Sequence, residues 1–541
     1  MFVDVLVVGA GPVGLTMACE LARNGVSCRI IDKAAAPPVT SRALAIFPRT
    51  LEVFQMMGVI DPVVSAGHQL SGVAFHNRGG QIGYIGFSCL PCYYHFAISL
   101  PQSETERILI EHLASLGICV DREKELIGLS QSSDAVCAVV RNSSGLEETL
   151  EAPWLIGCDG AHSGVRHLLG LQFEGDAYPE TFLLADATVD SPLDHINIHL
   201  FLASDGLVAI FPFRGNRCRI IANLRAEEND RTAGEPLLDE IQAIVDRRAI
   251  SGIRLTDPVW LSRFHISHRK VPEFRSGRVF LAGDSAHIHS PAGGQGMNTG
   301  IQDAFNLAWK IALVVHGKSP VSLLNSYNEE REPVAKMVLE LTDRLTRMAT
   351  LQSALGQQLR NALLPILTGI HLVEDRIAET MAEIGIHYRR SSVVSGKTGH
   401  AVKAGDRAPD CELQLGPDKN PIRLLDLFRK PVHHLLLFAG ADADSALELN
   451  SLLIEMKRDF KDLIDASVVV HGEKSSLPCV VFDSDGAVHA LYEAESPAII
   501  LIRPDGYIGF RGGARHGDAL REHLALIFSV PPGAVGEGMT E

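Results

Sequence analysis

The sequence predicts an α/β protein in three parts: a sheet of strands alternating with helices, an antiparallel sheet inserted into it, and a separate α/β unit after both. Three observations carry this. A glycine-rich turn, "GAGPVG", joins the first apolar run to a helix-like run. The strand–helix rhythm stops between residues 171 and 275, where four short apolar runs follow one another. A polar, glycine-bearing stretch then precedes a fresh βαβ pattern. With 541 residues and 46% hydrophobic content, the chain can build two or three cores.

The first element is the apolar strand of residues 3 to 8. Gly9, Gly11 and Gly14 follow it as G-x-G-x-x-G, and "LTMACELARNG" is a helix that Gly25 ends. "SCRIID" is a second strand closing on Asp32. The chemistry fits the order: Gly9 permits a tight turn, Gly11 lets backbone approach a pyrophosphate, and Gly14 lets helix and strand pack closely. The helix start offers unpaired amides to the phosphates, and the acid at the end of the second strand accepts ribose hydroxyls. This Rossmann-like unit is expected to bind an ADP moiety, with Pro12, Val13 and Lys33 among the contacts. Asp32, where an arginine would suit a 2′-phosphate, favours FAD or NAD over NADP at this site.

Further along come "SRALAIFPRTLEVF" with Arg42, "SLPQSETERILIEHL" with Gln102 at a helix entry, and "WLIGCDGAHSGVRHLLG" with Asp159 and Arg166. The stretch "RVFLAGDSAHIHSPAGGQGMN" reads as a strand ending in Gly283 and Asp284, a glycine loop, and a helix entry at Gly296, Met297 and Asn298. Asp284 can accept polyol hydroxyls, Gly294 lets backbone pass a flat ring, and the helix start favours negative charge on that ring. Pro291 is expected to lie against the ring face. His289 is expected to be a solvated loop residue. No shared metal site is expected at the His287 and His289 pair. The scattered cysteines, with Cys89 and Cys92 the nearest pair, give no metal site either.

Together the glycine fingerprint, "CDGAHSGVR" and "LAGDSAHIHSPAGGQGMNTGIQDAFNLAWK" resemble the class A flavoprotein aromatic hydroxylases, the phenol, pentachlorophenol and polyketide hydroxylases among them. The resemblance spans roughly residues 1 to 390. It implies FAD as the cofactor, with the block around Asp159 serving both FAD and the nicotinamide donor. Gly283 and Asp284 would hold the ribityl chain, Arg42 and Gln102 would make further FAD contacts, and His287, at a position that is histidine in the family's motif, would tie the loop by a side-chain hydrogen bond. The implied reaction takes electrons from NADH or NADPH and oxygen from O2, passing through a flavin C4a-hydroperoxide to an aromatic carbon. Two other readings share these motifs: a flavin-dependent oxidase or dehydrogenase, and a non-catalytic flavin-scaffold binding protein.

The inserted strands "TFLLADATV", "INIHLFLA", "GLVAIFPFRG" and "RCRIIANL" carry hairpin turns at "SDG" and "RGN". The resemblance implies that this sheet floors a pocket for a small aromatic substrate. His199, Phe201, Phe211, Pro212 and Phe213 are its candidate lining, Phe211 and Phe213 sharing one face by strand alternation. No side chain stands out as a general base. The expected boundaries are 1–170 and 276–390 for the two parts of the FAD-binding domain, 171–275 for the substrate sheet, 391–405 for a linker and 406–541 for the last domain.

That last domain resembles a thioredoxin-like fold, with "LLLF" as a strand, a hairpin at "RPDG", and Pro497 at the fold's cis-proline position. No cysteine pair follows "HLLLFAG", so a structural or homodimer-supporting role is expected rather than thiol exchange. The formal charge of −16 argues against nucleic acid or an anionic membrane as partner. No run of 18 apolar residues and no basic, cleavable leader is evident, so a cytoplasmic enzyme is expected.

Overall fold

The computed structural model describes residues 3–40, 43–224, 234–289, 294–349, 370–396, 402–415, 420–439, 443–472 and 480–529. The first strand, Val5–Val8, is an interior strand of a five-stranded sheet, one place from its edge. Its neighbours are Cys28–Ile31 on one side and Trp154–Gly157 on the other, and Val279–Leu281 follows next; all these pairings are parallel. Val5–Val8, Trp154–Gly157 and Val279–Leu281 are apolar and buried throughout, as expected of strands covered on both faces, while Cys28–Ile31, at the edge, is half-buried and carries Arg29. Parallel pairing also puts their carboxyl ends on one edge. Gly9, Cys158–Asp159 and Ala282–Asp284, far apart in sequence, thereby emerge side by side, where ligands bind in open α/β sheets.

Helix Pro12–Arg23 crosses helix Gly296–Val315 above that edge. Two glycines set the approach: a Cβ at Gly300 would stand 2.6 Å from Val13 Cγ2, and one at Gly283 would stand 2.8 Å from it. Both helices therefore begin beside the same carboxyl edge.

The inserted sheet is larger than its sequence suggests. It has eight strands, and the four expected ones are joined by Arg254–Lys270, His287–Ile288, Gly72–Asn77 and Gly80–Gly86. Strand Gly72–Asn77 pairs in parallel with Asn197–Ala203, so the sheet draws two strands from well before residue 171 and is not wholly antiparallel. The hairpins at 204–205 and 213–216 are as expected. Helix Leu238–Arg248 packs on the far side of this sheet.

The final unit is an eight-stranded mixed sheet. Strands His433–Phe438 and Ile464–His471 run parallel around helix Ala443–Asp459, and Ala498–Ile502 and Ile508–Gly513 form the antiparallel hairpin. This is the thioredoxin-like arrangement, but no peptide bond among the described residues is cis, so Pro497 joins its strand in trans. Ser395–Gly396 pairs with Phe510–Arg511, which builds part of the expected 391–405 stretch into this sheet. The unit is not loosely tethered: one apolar core runs from the first sheet into Leu436, Phe438 and Ile500 of the last.

Candidate active site

A cleft of about 710 Å³ opens at the carboxyl edge, between the parallel sheet and the inserted sheet. On its first side is the glycine turn. Gly9 has φ +102°, and a Cβ there would meet the Cys158 carbonyl at 2.4 Å. A Cβ on Gly14 would lie 1.9 Å from the Gly9 oxygen. Gly11 differs, lining the cleft with no atom within 4 Å of its Cβ position. Two glycines are thus needed for packing, and the third leaves backbone open towards the cleft. That is the shape a pyrophosphate needs at a helix N-terminus, and Pro12 and Val13 line the cleft beside it.

Asp32 holds this turn from behind. Its Oδ2 accepts from the Ala10 amide at 2.6 Å and its Oδ1 from the Ala34 amide at 2.8 Å. Lys33 is exposed just beyond. Gln102 lines the cleft as the first residue of helix Gln102–Ser115, with Nε2 donating to Glu106 at 2.7 Å. Asp159 turns inward: it accepts from Ser163 Oγ and from the Val165 amide at 3.1 Å, capping helix Gly164–Leu168. Burial raises its carboxyl above the usual range. Arg166, on that helix, donates to the Ser285 and Ala161 carbonyls and lies 3.7 Å over the Phe173 ring, at the cleft wall.

At the opposite end stand Asp284, Gly294, Gly296 and Met297. Asp284 is exposed on the single turn Gly283–Ser285. By helix geometry, the amides of Gly296, Met297 and Asn298 are left for an outside acceptor. The Asn298 side chain is already used: it donates to the Ala45 carbonyl at 2.9 Å and accepts from the Phe47 amide at 3.0 Å, so only its backbone serves the cleft. Arg42 and Pro291 lie outside the described residues.

Behind this end is a buried polar cluster. His287 Nε2 meets Asp303 Oδ2 at 2.7 Å, and Asp303 also accepts from the Gly283 amide at 3.0 Å and Arg331 Nε at 2.6 Å. His287 is therefore a strut, not a base. His289 is not a solvated loop residue: it lines the cleft at half-burial, its ring 6.3 Å from that of His287 and nearly parallel to it, because an i, i+2 pair in an extended stretch shares one face.

The inserted sheet supplies the floor. Phe211 lines the cleft, joined by Arg219, Ile221 and Phe264 from neighbouring strands. Phe213 lies beside it, its ring 5.8 Å from the Arg219 guanidinium. His199, Phe201 and Pro212 are placed differently. Alternation puts them on the other face, with Phe201 in the core under helix Leu238–Arg248 and His199 bonded to His76 at 3.0 Å. Leu200, between the two, is the residue of that strand that turns to the apolar cluster of Phe211 and Phe264.

The pocket residues that sequence reasoning missed are mainly Arg219 and the strand Arg254–Lys270. Arg219 is 2% exposed and pairs with Asp186 through Nε (2.8 Å) and Nη2 (2.7 Å). A signal existed: in "RCRIIANL", Arg219 shares a face with Ile221.

An open glycine backbone, two helix starts and a long cleft between them fit an extended dinucleotide with a flat ring at its far end; the site is that of a flavoprotein. Comparison with known proteins agrees. Residues 2–342 match the FAD binding domain family, and residues 401–531 match the family described as aromatic-ring hydroxylase, C-terminal. The chain is 35% identical over 544 residues to 6-methylpretetramide 4-monooxygenase of Streptomyces rimosus, covering 98% of this chain and 95% of that one. It is 34% identical over 534 residues to pentachlorophenol 4-monooxygenase of Sphingobium chlorophenolicum, covering 95% of each. Among solved structures, the anhydrotetracycline hydroxylase of Streptomyces rimosus matches with a TM-score of 0.78 at 28% identity, over 98% of this chain and 100% of that one. The chain belongs to the FAD-binding aromatic-ring hydroxylases, and it is an FAD-dependent aromatic monooxygenase.

The roles of the two cleft ends can be separated by mutation. Asp284→Ala is expected to weaken FAD retention about tenfold, the effect of losing one charged hydrogen bond of roughly 1.5 kcal/mol or more. Flavin release on dilution, followed by fluorescence, reads this directly. Unchanged retention would remove Asp284 from the cofactor site.

Proposed function

We propose that this chain hydroxylates a polycyclic phenolic substrate, using NADH or NADPH as electron donor and O2 as oxygen source, with the reacting ring on the floor made by Phe211, Ile221 and Phe264. The width of that floor carries the reading. These residues lie on strands Gly206–Pro212, Arg217–Leu224 and Arg254–Lys270, with Glu174–Asp190 between the last two. Three strand spacings of about 4.8 Å make a floor of roughly 14 Å, wide enough for several fused rings. The relative named for a pretetramide, 35% identical over nearly the whole chain, supports the same size class.

Bound FAD supplies the electron transfer and the activation of oxygen. The chain's own residues bind, orient and exclude. Gly11 and the first amides of helix Pro12–Arg23 receive the phosphates. Asp284 receives ribityl hydroxyls, and the amides at Gly296–Asn298 stabilise negative charge on the ring. Phe211, Ile221 and Phe264 keep water from the reacting ring. Arg219, fixed by Asp186 between Phe213 and Trp260 (5.4 Å), offers a cation face to an electron-rich aromatic system. On the open side, His162, Arg166, His167 and Arg269 give a basic wall suited to the phosphates of the nicotinamide donor.

We also place the enzyme in the cytoplasm. All nine described cysteines are free, which suits a reducing compartment, and no helix among the described residues is long and apolar enough to cross a membrane.

The test is direct. The purified holoenzyme is supplied with NADH or NADPH under 18O2 and offered single phenols, hydroxybenzoates and anthraquinone- or tetracycline-like polyketides. Donor oxidation stimulated by the polycyclic compounds, with one labelled oxygen in the product, is expected. Donor oxidation that yields only hydrogen peroxide with every aromatic would identify an oxidase instead. Turnover confined to single-ring phenols would overturn the size assignment.

A further inference from the structure

Glu383 lies behind the ring end of the cleft. It follows helix His371–Met381 and is fully buried, 2% exposed. Its Oε1 accepts from Thr299 Oγ1 at 3.0 Å and its Oε2 from Gln302 Nε2. Thr299 is in the first turn of helix Gly296–Val315, directly after the amides assigned to the flavin ring. Glu383 also has φ +59°, a left-handed conformation that strains a non-glycine residue. A carboxylate is thus held under backbone strain against the turn whose dipole is to stabilise an anion.

The surrounding charges do not neutralise it. Arg331, on helix Asn325–Ala349, and Asp303, on helix Gly296–Val315, are the charged groups that act on it. They are paired with each other at 2.6 Å, and Asp303 also holds His287. Arg49, whose amide donates to the Ala382 carbonyl at 3.2 Å, sends its guanidinium away to Glu52 and the Asp505 carbonyl. Burial therefore dominates and pushes the Glu383 carboxyl up to about 7.

We propose that Glu383 couples flavin reduction to proton uptake, its carboxylate taking a proton from solvent as the flavin ring at the Gly296–Asn298 amides becomes anionic. The inference rests on the placement of the ring at that helix start. The balance is simple. A hydride donor delivers two electrons and one proton to the ring, which leaves one added negative charge. One solvent proton then bonds to a Glu383 oxygen, so the net charge behind the ring does not grow. Glu383 does not touch the reacting atoms; it is a positioning residue acting through the helix turn.

The experiment measures the flavin midpoint potential of the holoprotein from pH 6 to 8, for the wild type and for Glu383→Gln, whose carbonyl oxygen still accepts from Thr299 while its amide donates to Gln302 Oε1 once that side-chain amide is turned over. One further proton per two electrons is a tenfold change in the reduction equilibrium per pH unit, about 30 mV. The wild type is expected to show this extra slope near pH 7, and Glu383→Gln to lack it at every pH. In parallel, an indicator dye in weakly buffered solution counts protons taken up on photoreduction of the wild type, with a second proton per flavin expected near pH 7. Equal slopes in the two proteins, or a single proton per flavin near pH 7, would overturn the proposal while leaving the site intact. A protein that retains no flavin would overturn both the proposal and the ring placement beneath it.

Discussion

Glu330→Ala is expected to release the C-terminal unit from the FAD-binding domain. Glu330, on helix Asn325–Ala349, is wholly buried among cations. Its oxygens accept from Arg503 at 2.6 and 2.9 Å, Lys310 at 2.7 Å, Asn306 at 2.7 Å and Ser391 at 2.6 Å. Arg503 belongs to the C-terminal hairpin and Lys310 to the helix that begins at the flavin ring site. Asp505 completes the cluster by accepting from Asn306 at 3.1 Å and the Trp309 indole at 3.2 Å. Removing the Glu330 carboxylate leaves two buried cations sharing Asp505. Breaking a buried pair in this way costs about 3–5 kcal/mol. The expected readout is a separate, earlier unfolding transition for the C-terminal unit; one transition at the wild-type midpoint would contradict it.

The same group sets an acid limb. Burial alone would raise the Glu330 carboxyl, but Arg503 and Lys310 outweigh that and hold it well below its ordinary 4.5. A carboxyl depressed in the folded state contributes stability that is full above its unfolded value and fades as pH falls below it. The wild type should therefore lose stability progressively below pH 4.5, and Glu330→Ala should show a shallower loss over the same range.

The second large effect is at the glycine turn, where two substitutions separate packing from binding. Gly14→Ala puts a Cβ 1.9 Å from the Gly9 oxygen and 3.2 Å from Cys158 Cβ. Helix Pro12–Arg23 must move off the strand, taking its N-terminal amides from the phosphate position. Both thermal midpoint and FAD affinity should fall, the affinity by more than the tenfold that about 1.4 kcal/mol represents. Gly11→Ala puts its Cβ where no protein atom lies within 4 Å, so the apoprotein should keep its midpoint while FAD affinity still drops. Unfolding of the apoproteins together with flavin titration distinguishes the two. Equal midpoint losses would mean that Gly11 is a packing glycine as well.

Much of the cofactor site was legible because its information is local. An apolar strand, a glycine turn and a helix start are neighbours in the chain, and a turn that needs φ +102° advertises itself with glycine. His287 as a strut came with the resemblance, whose motif carries a histidine at that place. The substrate side was not. His199 and Phe201 sit in an aromatic-bearing strand, yet which face of a strand meets a cleft depends on what covers each face. Here helix Leu238–Arg248 covers one face and the cleft lies on the other.

The sequence by itself determined the α/β architecture, the dinucleotide turn, the second glycine loop and the missing thiol pair of the last unit. Each follows from residue types within a few positions of one another, where backbone period and turn chemistry act. Tertiary structure alone decided the parallel seam between Gly72–Asn77 and Asn197–Ala203, the Arg219–Asp186 pair, the grip of Glu383 on Thr299, and the Glu330–Lys310–Arg503 cluster. Those contacts join residues from 33 to 173 positions apart, except Lys310 and Glu330, which lie on separate helices brought together by packing. A buried charge finds its partner through the low-dielectric space that packing creates, and such a space leaves no periodic trace in the chain.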